Sequence, residues 1–186
     1  MIGGMKRTMF VLAALALLGP TCFSQQTTAK VYKIGDKGPA GGLVFYDKGS
    51  ISDGWRYLEA APSDQGVNVQ WYKNKNIYIK TSTDIGTGKA NTDAIIAAQG
   101  TGSYAAALCR NLNLGGYTDW FLPSRDELNQ MYVNLKKTGL GGFGNGWFWS
   151  SSQFTRSNAW GQKFSDGYQY DDGKYTKETV RACRAF

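Results

Sequence analysis

The sequence predicts an α+β domain in which short antiparallel strands accompany two main helices, at about 103–114 and 124–138. The second helix has the clearest start signal, because Ser124 and Glu127 have the spacing of a capping box, in which each side chain bonds to the other residue's backbone N–H. The apolar residues that follow recur at helical spacing, and Gly139 supplies a stop. These features predict a well-capped amphipathic helix.

The strands are predicted from short β-branched and aromatic runs between glycine-rich turns. The strongest hairpin signal is Asp166-Gly167, which separates the runs 158–165 and 168–170. Further turns are expected at 47–54 and 171–174. The other predicted strands are 31–34, 43–46, 55–60, 147–152 and 179–186.

Two further helix starts are expected upstream of the main helix. Asn91 precedes a run at 92–99, and Ser103 precedes a run at 104–114. Asparagine and serine are favoured N-cap residues, so each is interpreted as a cap. The segment 62–83 is interpreted as a solvated insertion, and a long exposed loop with a basic rim is its functional alternative.

Residues 1–24 have the pattern of an export signal. A basic pair precedes an apolar stretch at 9–18 that is too short to span a bilayer comfortably, and small residues suit cleavage after Ser24. Acylation of Cys22, as in a lipoprotein, is the alternative, although the residues before it are a poor lead-in. We therefore expect an exported protein that is secreted, periplasmic or at the cell surface.

The rest of the chain is predicted to form a flexible tail at 25–30 and a single domain at 31–186. No second hydrophobic span follows, so we expect no transmembrane segment in the mature chain. The whole sequence has 21 Lys and Arg against 14 Asp and Glu, a net charge of +7. Removal of the signal leaves about +5, which suits anionic glycans or surfaces or else simply aids solubility. No Lys/Arg-rich run is present, and export argues against a nucleic-acid partner.

Cleavage after Ser24 leaves two cysteines, Cys109 and Cys183. In an exported chain this even count favours a disulfide, and the alternative is a pair of free catalytic thiols. The bond closes a loop of about 74 residues, for which chain entropy gives roughly 4 kcal/mol.

The absence of histidine limits the available chemistry. It excludes Ser-His-Asp and Cys-His arrangements, histidine zinc sites and an imidazole base. Paired carboxylates can serve a glycosidase, but nothing in the sequence marks two of them as a pair. Calcium binding by Asp166, Asp171 and Asp172 is an alternative to their turn-forming role, but the usual calcium-loop pattern is missing. We therefore expect no catalytic residues, no metal site and no cofactor.

Aromatic side chains are abundant, with six Trp, eleven Tyr and nine Phe. Most are expected in the core or in hairpin pairs, but those around the Asp166-Gly167 hairpin lie near lysines and can offer a stacking and charged surface for sugars. The candidate ligand-binding residues are Lys163, Tyr168, Tyr170, Lys174, Tyr175, Lys177, Lys73 and Lys75.

Five blocks occur in an order that resembles one bacterial family. They are GGLVFY (41–46), IGTGKANT (85–92), GYTDWFLPS (116–124) followed by Glu127-Leu128, WSSS (149–152) and VRACRAF (180–186). The third block contains the structural motif residues Asp119, Trp120, Pro123, Ser124 and Glu127. The series is similar to the domain at the C-terminus of the Legionella collagen-like adhesin, and the similarity extends over essentially all of 31–186.

The resemblance implies an α+β fold related to C-type lectin-like domains and to the formylglycine-generating-enzyme scaffold, with a secreted or surface role. The adhesin member is associated with sulfated glycosaminoglycans and with trimers, so a homo-oligomer is a further expectation. Neither the collagen-like region nor the sugar-binding signatures of calcium-dependent lectins are found here, and the adhesin's glycan contacts align with no motif.

Three hypotheses follow. The first is a non-enzymatic, adhesin-like domain that binds anionic or sulfated glycans or another surface protein. The second is a structural or protein-interaction domain of the envelope without sugar affinity. The third is an enzyme related to the formylglycine-generating type, which requires free thiols.

Overall fold

The computed structural model describes Met1 and residues 30–186, and within them helices and strands are mixed along the chain. The strands are β1 (Leu43–Ser52), β2 (Trp55–Ala60), β3 (Gly66–Gln70), β4 (Trp147–Gln153), β5 (Asn158–Lys163), β6 (Gln169–Gly173), β7 (Lys177–Val180) and β8 (Cys183–Ala185). The helices are α1 (Gly88–Gln99), α2 (Ala105–Arg110) and α3 (Arg125–Asn134), with a short 3₁₀ helix at Lys136–Thr138. The predicted α+β class is confirmed, and the C-type lectin-like relationship stays a prediction. The predicted signal at 1–24, with the lipidation alternative at Cys22, and residues 25–29 of the predicted tail lie outside the described residues.

The strands form two sheets. The small sheet has the order β1-β2-β8, and the large sheet has the order β3-β7-β4-β5-β6. Neighbouring strands are antiparallel except β4 and β7, which are parallel. The hairpin predicted at Asp166-Gly167 joins β5 to β6, and Gly167 has the positive φ of 83° that this turn needs.

The closing strand predicted at 179–186 is wrong, because the chain leaves one sheet after β7 and enters the other at β8. Arg181 lies at this crossing and is buried. Its guanidinium donates to Asp64 at 2.6 Å and to the carbonyls of Ala61 and Gly141 at 3.0 and 2.9 Å. These three acceptors come from distant parts of the chain, so the break depends on tertiary contacts.

Three other strand and turn predictions also need correction. No strand forms at 31–34, where a local turn joins the Asp36 N–H to the Lys33 carbonyl. The turn predicted at 47–54 is only Asp53-Gly54, because β1 continues to Ser52. The turn predicted at 171–174 begins later, since β6 runs to Gly173.

The segment 62–83 is not the solvated insertion that the sequence suggested. It contains β3, which pairs with β7 at the edge of the large sheet. Trp71 follows β3 and is fully buried, and its indole N–H donates to the Ser150 carbonyl at 2.8 Å. Burial of this indole therefore ties the segment to the core.

Helix α3 begins as predicted. Ser124 is its N-cap, Ser124 Oγ accepts from the Glu127 N–H, and the Glu127 carboxylate accepts from the Ser124 N–H at 2.7 Å. Gly139, with a φ of 78°, ends the 3₁₀ turn that follows. The capping box is therefore confirmed, whereas α3 ends at Asn134 and the last residues of the predicted helix form the 3₁₀ turn that Gly139 stops.

The other two predicted caps are wrong. α1 begins at Gly88, and Asn91 lies inside it, where its buried amide bonds to the backbone of Ser82. α2 has Tyr104 as N-cap, with no side-chain cap from Ser103. Side chains that favour a cap can also bond to neighbouring segments, and at Asn91 the tertiary contact prevails.

The core has two parts. One contains the three buried tryptophans Trp71, Trp120 and Trp149 together with the inner sides of α1 and α2. The other lies where the small sheet and α3 meet, around Phe45, Leu128, Met131 and a contact between Phe148 and Phe164. α3 covers one face of the large sheet through Asn129, which accepts from the Gln162 amide at 2.9 Å.

Candidate ligand-binding site

Ion pairs made by the buried Arg184 help to join the third sequence block to two of the others. Arg184 of β8 donates to both carboxylate oxygens of Asp119, at 2.8 and 2.9 Å, and to Glu59 of β2 at 2.8 Å. Glu59 in turn accepts from the N–H groups of Ala40 and Gly42. Burial opposes the charged form of Arg184, but the bonds to Asp119 and Glu59 outweigh it and raise its pKa. This network connects three of the five blocks.

Glu127 connects two more parts of the chain. Besides capping α3, its carboxylate accepts from the Gly86 N–H at 2.8 Å, and a methyl group at Gly88 would lie 2.2 Å from it. Burial raises the pKa of Glu127 to about 7, although the N–H groups that it accepts from oppose the shift. The sequence explained Glu127 by capping alone and did not show this second role.

The fourth block also bonds to the third. The Ser151 N–H donates to the Pro123 carbonyl at 2.7 Å, and the Thr92 hydroxyl bonds to the backbone of Leu122. Trp120 is fully buried beside them. The motif residues therefore hold the framework together, and a ligand must contact other side chains.

An open aromatic surface lies at one end of the large sheet. We call Trp147, Tyr168 and Tyr170 the aromatic platform, because their ring centroids are 6.3 to 6.5 Å apart in all three pairs. Tyr168 and Tyr170 are 61% and 50% exposed, and Trp147 is half-buried. Lys163 is the cross-strand partner of Trp147, which places both side chains on one face. Of the predicted ligand residues, the structure brings together Lys163, Tyr168 and Tyr170.

A cleft adjoins the platform, and it has an open volume of about 310 Å³. We call it the acidic cleft, because Asp172 of β6 and Glu178 of β7 line it together with Trp147. Asn68, whose φ is 61°, and Lys177 also contribute to its wall. Burial raises the pKa of Glu178 to about 8, and the nearby charge of Asp172 adds to the shift.

Lys174 is not a surface residue, so its prediction as a ligand contact is wrong. Its side chain is fully buried, with its ammonium 4.5 Å from the Trp71 ring centroid. The amine donates to the Gln153 amide oxygen and to two backbone carbonyls, those of Ile77 and Arg156. Burial lowers the pKa of Lys174 to about 8. Its role is to anchor the segment after Trp71 to the sheet.

The other four predicted ligand residues are exposed and lie in two separate places. Lys73 donates to the Thr101 carbonyl, and the Lys75 carbonyl accepts from Gln99, so both lie at the C-terminal end of α1. Tyr175 is in the turn between β6 and β7, next to Lys177. Of these four residues, Lys177 is the one that lines the acidic cleft.

Cys109 and Cys183 are present as free, fully buried thiols. Burial raises the pKa of each thiol well above its usual value, and the interaction with Cys109 contributes to the shift at Cys183. A buried thiol with a raised pKa is a poor nucleophile. The predicted disulfide between them stays a prediction.

The three aspartates considered as calcium ligands have separate roles. Asp166 accepts from the Tyr168 N–H in the hairpin turn, Asp171 accepts from the Asn158 amide, and Asp172 faces the acidic cleft. Over the described part of the chain, no three His, Cys, Asp or Glu side chains are grouped so that they could hold a metal ion.

A second groove runs beside Trp55 and reaches Glu127 and Gly86. The Lys48 ammonium lies 3.8 Å from the Trp55 ring centroid and covers it. The Glu127 carboxylate in this groove is already bonded to the backbone N–H groups of Gly86 and Ser124.

Sequence reasoning missed Trp147 and Glu178 as members of the site. The sequence predicts a strand at Trp147, and the signal for its role is the hairpin that carries Tyr168 and Tyr170. Glu178 gave no signal, because its proximity to Asp172 depends on strand pairing between β7 and the rest of the large sheet.

The fold and the site together describe a small α+β domain that exposes aromatic and charged side chains on one sheet face. Residues 61–184, about two thirds of the chain, match the family of the Lcl C-terminal domain. The chain belongs to that family, as its sequence blocks indicated.

A comparison with curated proteins found no match to the chain. None of the helices in residues 30–186 has the length and apolar character needed to cross a bilayer.

Proposed function

We propose that this chain is an exported, non-enzymatic recognition domain of the adhesin type that binds acidic or sulfated glycans at the aromatic platform. The observation that carries this proposal is the grouping of Trp147, Tyr168 and Tyr170 on an open sheet face. Flat aromatic rings offer a large contact area to the apolar faces of sugar rings at low entropic cost. Lys163 beside them supplies a cation for a sulfate or carboxylate.

The positions of the lysines support the proposal that the ligand is acidic. Lys163 is the cross-strand partner of Trp147, Lys177 lines the cleft that adjoins the platform, and the chain as a whole is basic. Lys163 is also 3.5 Å from Asp166, a surface contact that a polyanion can displace at little cost. Binding through such exposed lysines is expected to weaken as salt is added.

The non-enzymatic part of the proposal is supported by the chemistry of the chain. It has no histidine, and both thiols of the domain are buried with raised pKa values. No step of the proposed recognition requires a metal or a cofactor.

The test is titration of the mature chain with heparin, a sulfated glycosaminoglycan, at low and at physiological salt. We expect the Tyr168→Ala/Tyr170→Ala variant to bind at least about ten-fold more weakly, a loss of about 1.4 kcal/mol. Tyr78→Ala is the matched control, because Tyr78 is equally exposed but lies outside the platform. Heparin affinity that is unchanged in the platform variant, or independent of salt, would refute the proposal.

Protein–protein contact is the second candidate. β3 is an edge strand of the large sheet, and Val67 within it is 66% exposed. An open strand edge with an apolar side chain can pair with another chain, including a second copy of this one. A mass that stays monomeric over a wide concentration range in sedimentation would argue against self-association.

A further inference from the structure

The acidic cleft holds two carboxyl groups and no cation that pairs with them. Within residues 30–186, neither Asp172 nor Glu178 is within ion-pair distance of a Lys or Arg. Lys177 lines the same cleft, yet its ammonium contacts neither carboxylate. Two adjacent acids without a counter-charge favour a ligand that brings positive charge.

Glu178 also lacks a hydrogen-bond donor. Its side chain is 5% exposed, and its oxygen Oε2 is buried without a partner. Glu178 Oε2 lies against Gly161, where a side chain would not fit, because a methyl group at position 161 would be 2.8 Å from this oxygen. Buried polar atoms are almost always paired, so an unpaired carboxyl at the wall of an open cleft indicates a group that a ligand satisfies.

The chemistry of the cleft favours an organic ammonium group. An ammonium brings one positive charge and three N–H donors, whereas a hydroxyl brings one donor and no charge. Calcium needs six to eight oxygen ligands, and in the described part of the chain no three His, Cys, Asp or Glu side chains are grouped to hold a metal ion. The indole of Trp147 adds a wall that attracts cations, and about 310 Å³ is large enough for one sugar ring.

We propose that the acidic cleft binds the protonated amino group of an unacylated amino sugar, whose ring lies against Trp147. The inference rests on the proposed glycan recognition, because Trp147 belongs to both the platform and the cleft. The glycan then carries a free amine on one residue and an acidic group within reach of Lys163 or Lys177. Binding transfers the Glu178 proton to solvent, because the ammonium favours the ionised carboxylate.

The experiment compares two probes on the mature chain at about pH 6, where a sugar amine is protonated. The probes are the β-linked hexamer of glucosamine and its fully N-acetylated counterpart, which has the same ring but no charge. We expect the glucosamine hexamer to bind at least about ten-fold more tightly and to release a proton, measured by calorimetry in buffers of different ionisation enthalpy.

Three variants separate the cleft from the platform. Glu178→Gln and Asp172→Asn are each expected to remove the preference for the free amine, and Glu178→Gln is expected to remove the proton release. Lys177→Gln is expected to tighten binding of the glucosamine hexamer and to weaken binding of heparin. The Lys177 ammonium repels the protonated amine of the first probe and attracts the sulfate groups of the second. Near-ultraviolet circular dichroism checks that each variant is folded.

Equal binding of the two hexamers, or a preference that survives in Glu178→Gln, would overturn the inference. If heparin binds through the platform while neither hexamer binds, the inference fails and the proposed function stands. If the glucosamine hexamer binds with proton release while heparin does not, the acidic-glycan proposal fails instead. A lysine-containing peptide that binds the cleft more tightly than the hexamer would assign the site to a protein amine and overturn the amino-sugar ligand.

Discussion

At the scale of single residues, the buried charges divide into those that have partners and those that do not. Arg184 sits between Glu59 and Asp119 and satisfies both, so its charge is a structural element. Glu178 has no such partner, so its charge is suppressed by a raised pKa. A buried charge with partners stabilises the fold, and a buried carboxyl without partners is available to a ligand.

Replacement of Arg184 is expected to destabilise the domain strongly. Arg184→Gln leaves the buried Glu59 carboxylate without its cation, and breaking a buried pair in this way costs about 3–5 kcal/mol. Arg56→Gln is the control, because Arg56 holds Asp47 with the same two-pronged geometry in a more exposed position. We expect a much smaller loss there, because solvent screens an exposed ion pair. Urea unfolding of both variants measures the difference, and equal losses would contradict the structural role of Arg184.

Glu178 is expected to make stability depend on pH. Its pKa is raised from 4.5 to about 8 in the folded chain. As pH rises from about 4.5 to 8, the unfolded chain releases this proton and the folded chain keeps it, so the free energy of unfolding falls. Below about pH 4.5 Glu178 is protonated in both states and does not make the free energy of unfolding depend on pH. Above about pH 8 it is ionised in both states, and the loss of stability no longer changes with pH.

Glu178→Gln removes this titration. We expect its stability relative to wild type to increase by on the order of 4 kcal/mol between pH 4 and pH 8. Glu127, whose pKa is also raised, titrates in both proteins and cancels in the comparison. Thermal or urea unfolding at several pH values measures the difference, and parallel pH profiles for the two proteins would contradict it.

At the scale of elements, helix α3 shows how far a local signal can determine structure. Its cap uses residues three apart in the chain, and its start coincides with the predicted one. The Asn91 and Ser103 predictions used the same residue preferences without the reciprocal Glu, and both were wrong. A cap is therefore well defined when two side chains support it.

The two serines provide a test of the cap at α3. Ser124→Ala is expected to cost about 1 kcal/mol of stability, because it removes the acceptor for the Glu127 N–H. Ser103→Ala is the matched control and is expected to change little, because Ser103 is exposed and caps no helix. Urea unfolding with amide exchange at Glu127 measures both effects, and similar losses for the two variants would refute the assignment.

At the scale of the whole molecule, the C-terminal strands close the fold. β7 pairs with β3 and β4 in the large sheet, and β8 pairs with β2 in the small one. The residues that follow Gly173 therefore contact segments more than one hundred positions earlier in the chain. Contacts this distant are costly in chain entropy, so a cross-link at this end is expected to stabilise the fold.

The Cys109–Cys183 disulfide is the prediction at this scale. Protein exported into an oxidising compartment is expected to have a mass lower by two hydrogens than its reduced form. Reduction is expected to lower the free energy of unfolding by roughly 4 kcal/mol, since the loop contains about 74 residues. Mass spectrometry of the unreduced mature chain measures the first effect, and free thiols in that sample would reject the bond.

The sequence was sufficient where the determining contacts are local. The class of the fold, helix α3, the hairpin at Asp166-Gly167 and the aromatic strand β4 depend on residue preferences, caps and turns over a few positions. The resemblance of the five blocks identified the family. It did not identify a ligand site, because the block residues bond mainly to one another.

Only the tertiary structure determines which charged side chains are exposed and which lie close to one another. No local pattern indicates that Lys174 is buried, because its burial depends on Trp71 and on carbonyls from two other segments. Nor does any local pattern indicate that Asp172 and Glu178 share a cleft, because they lie on strands that are not neighbours in the sheet. Local pattern specifies secondary structure, but burial and proximity depend on contacts between distant segments, and the ligand site is made of such contacts.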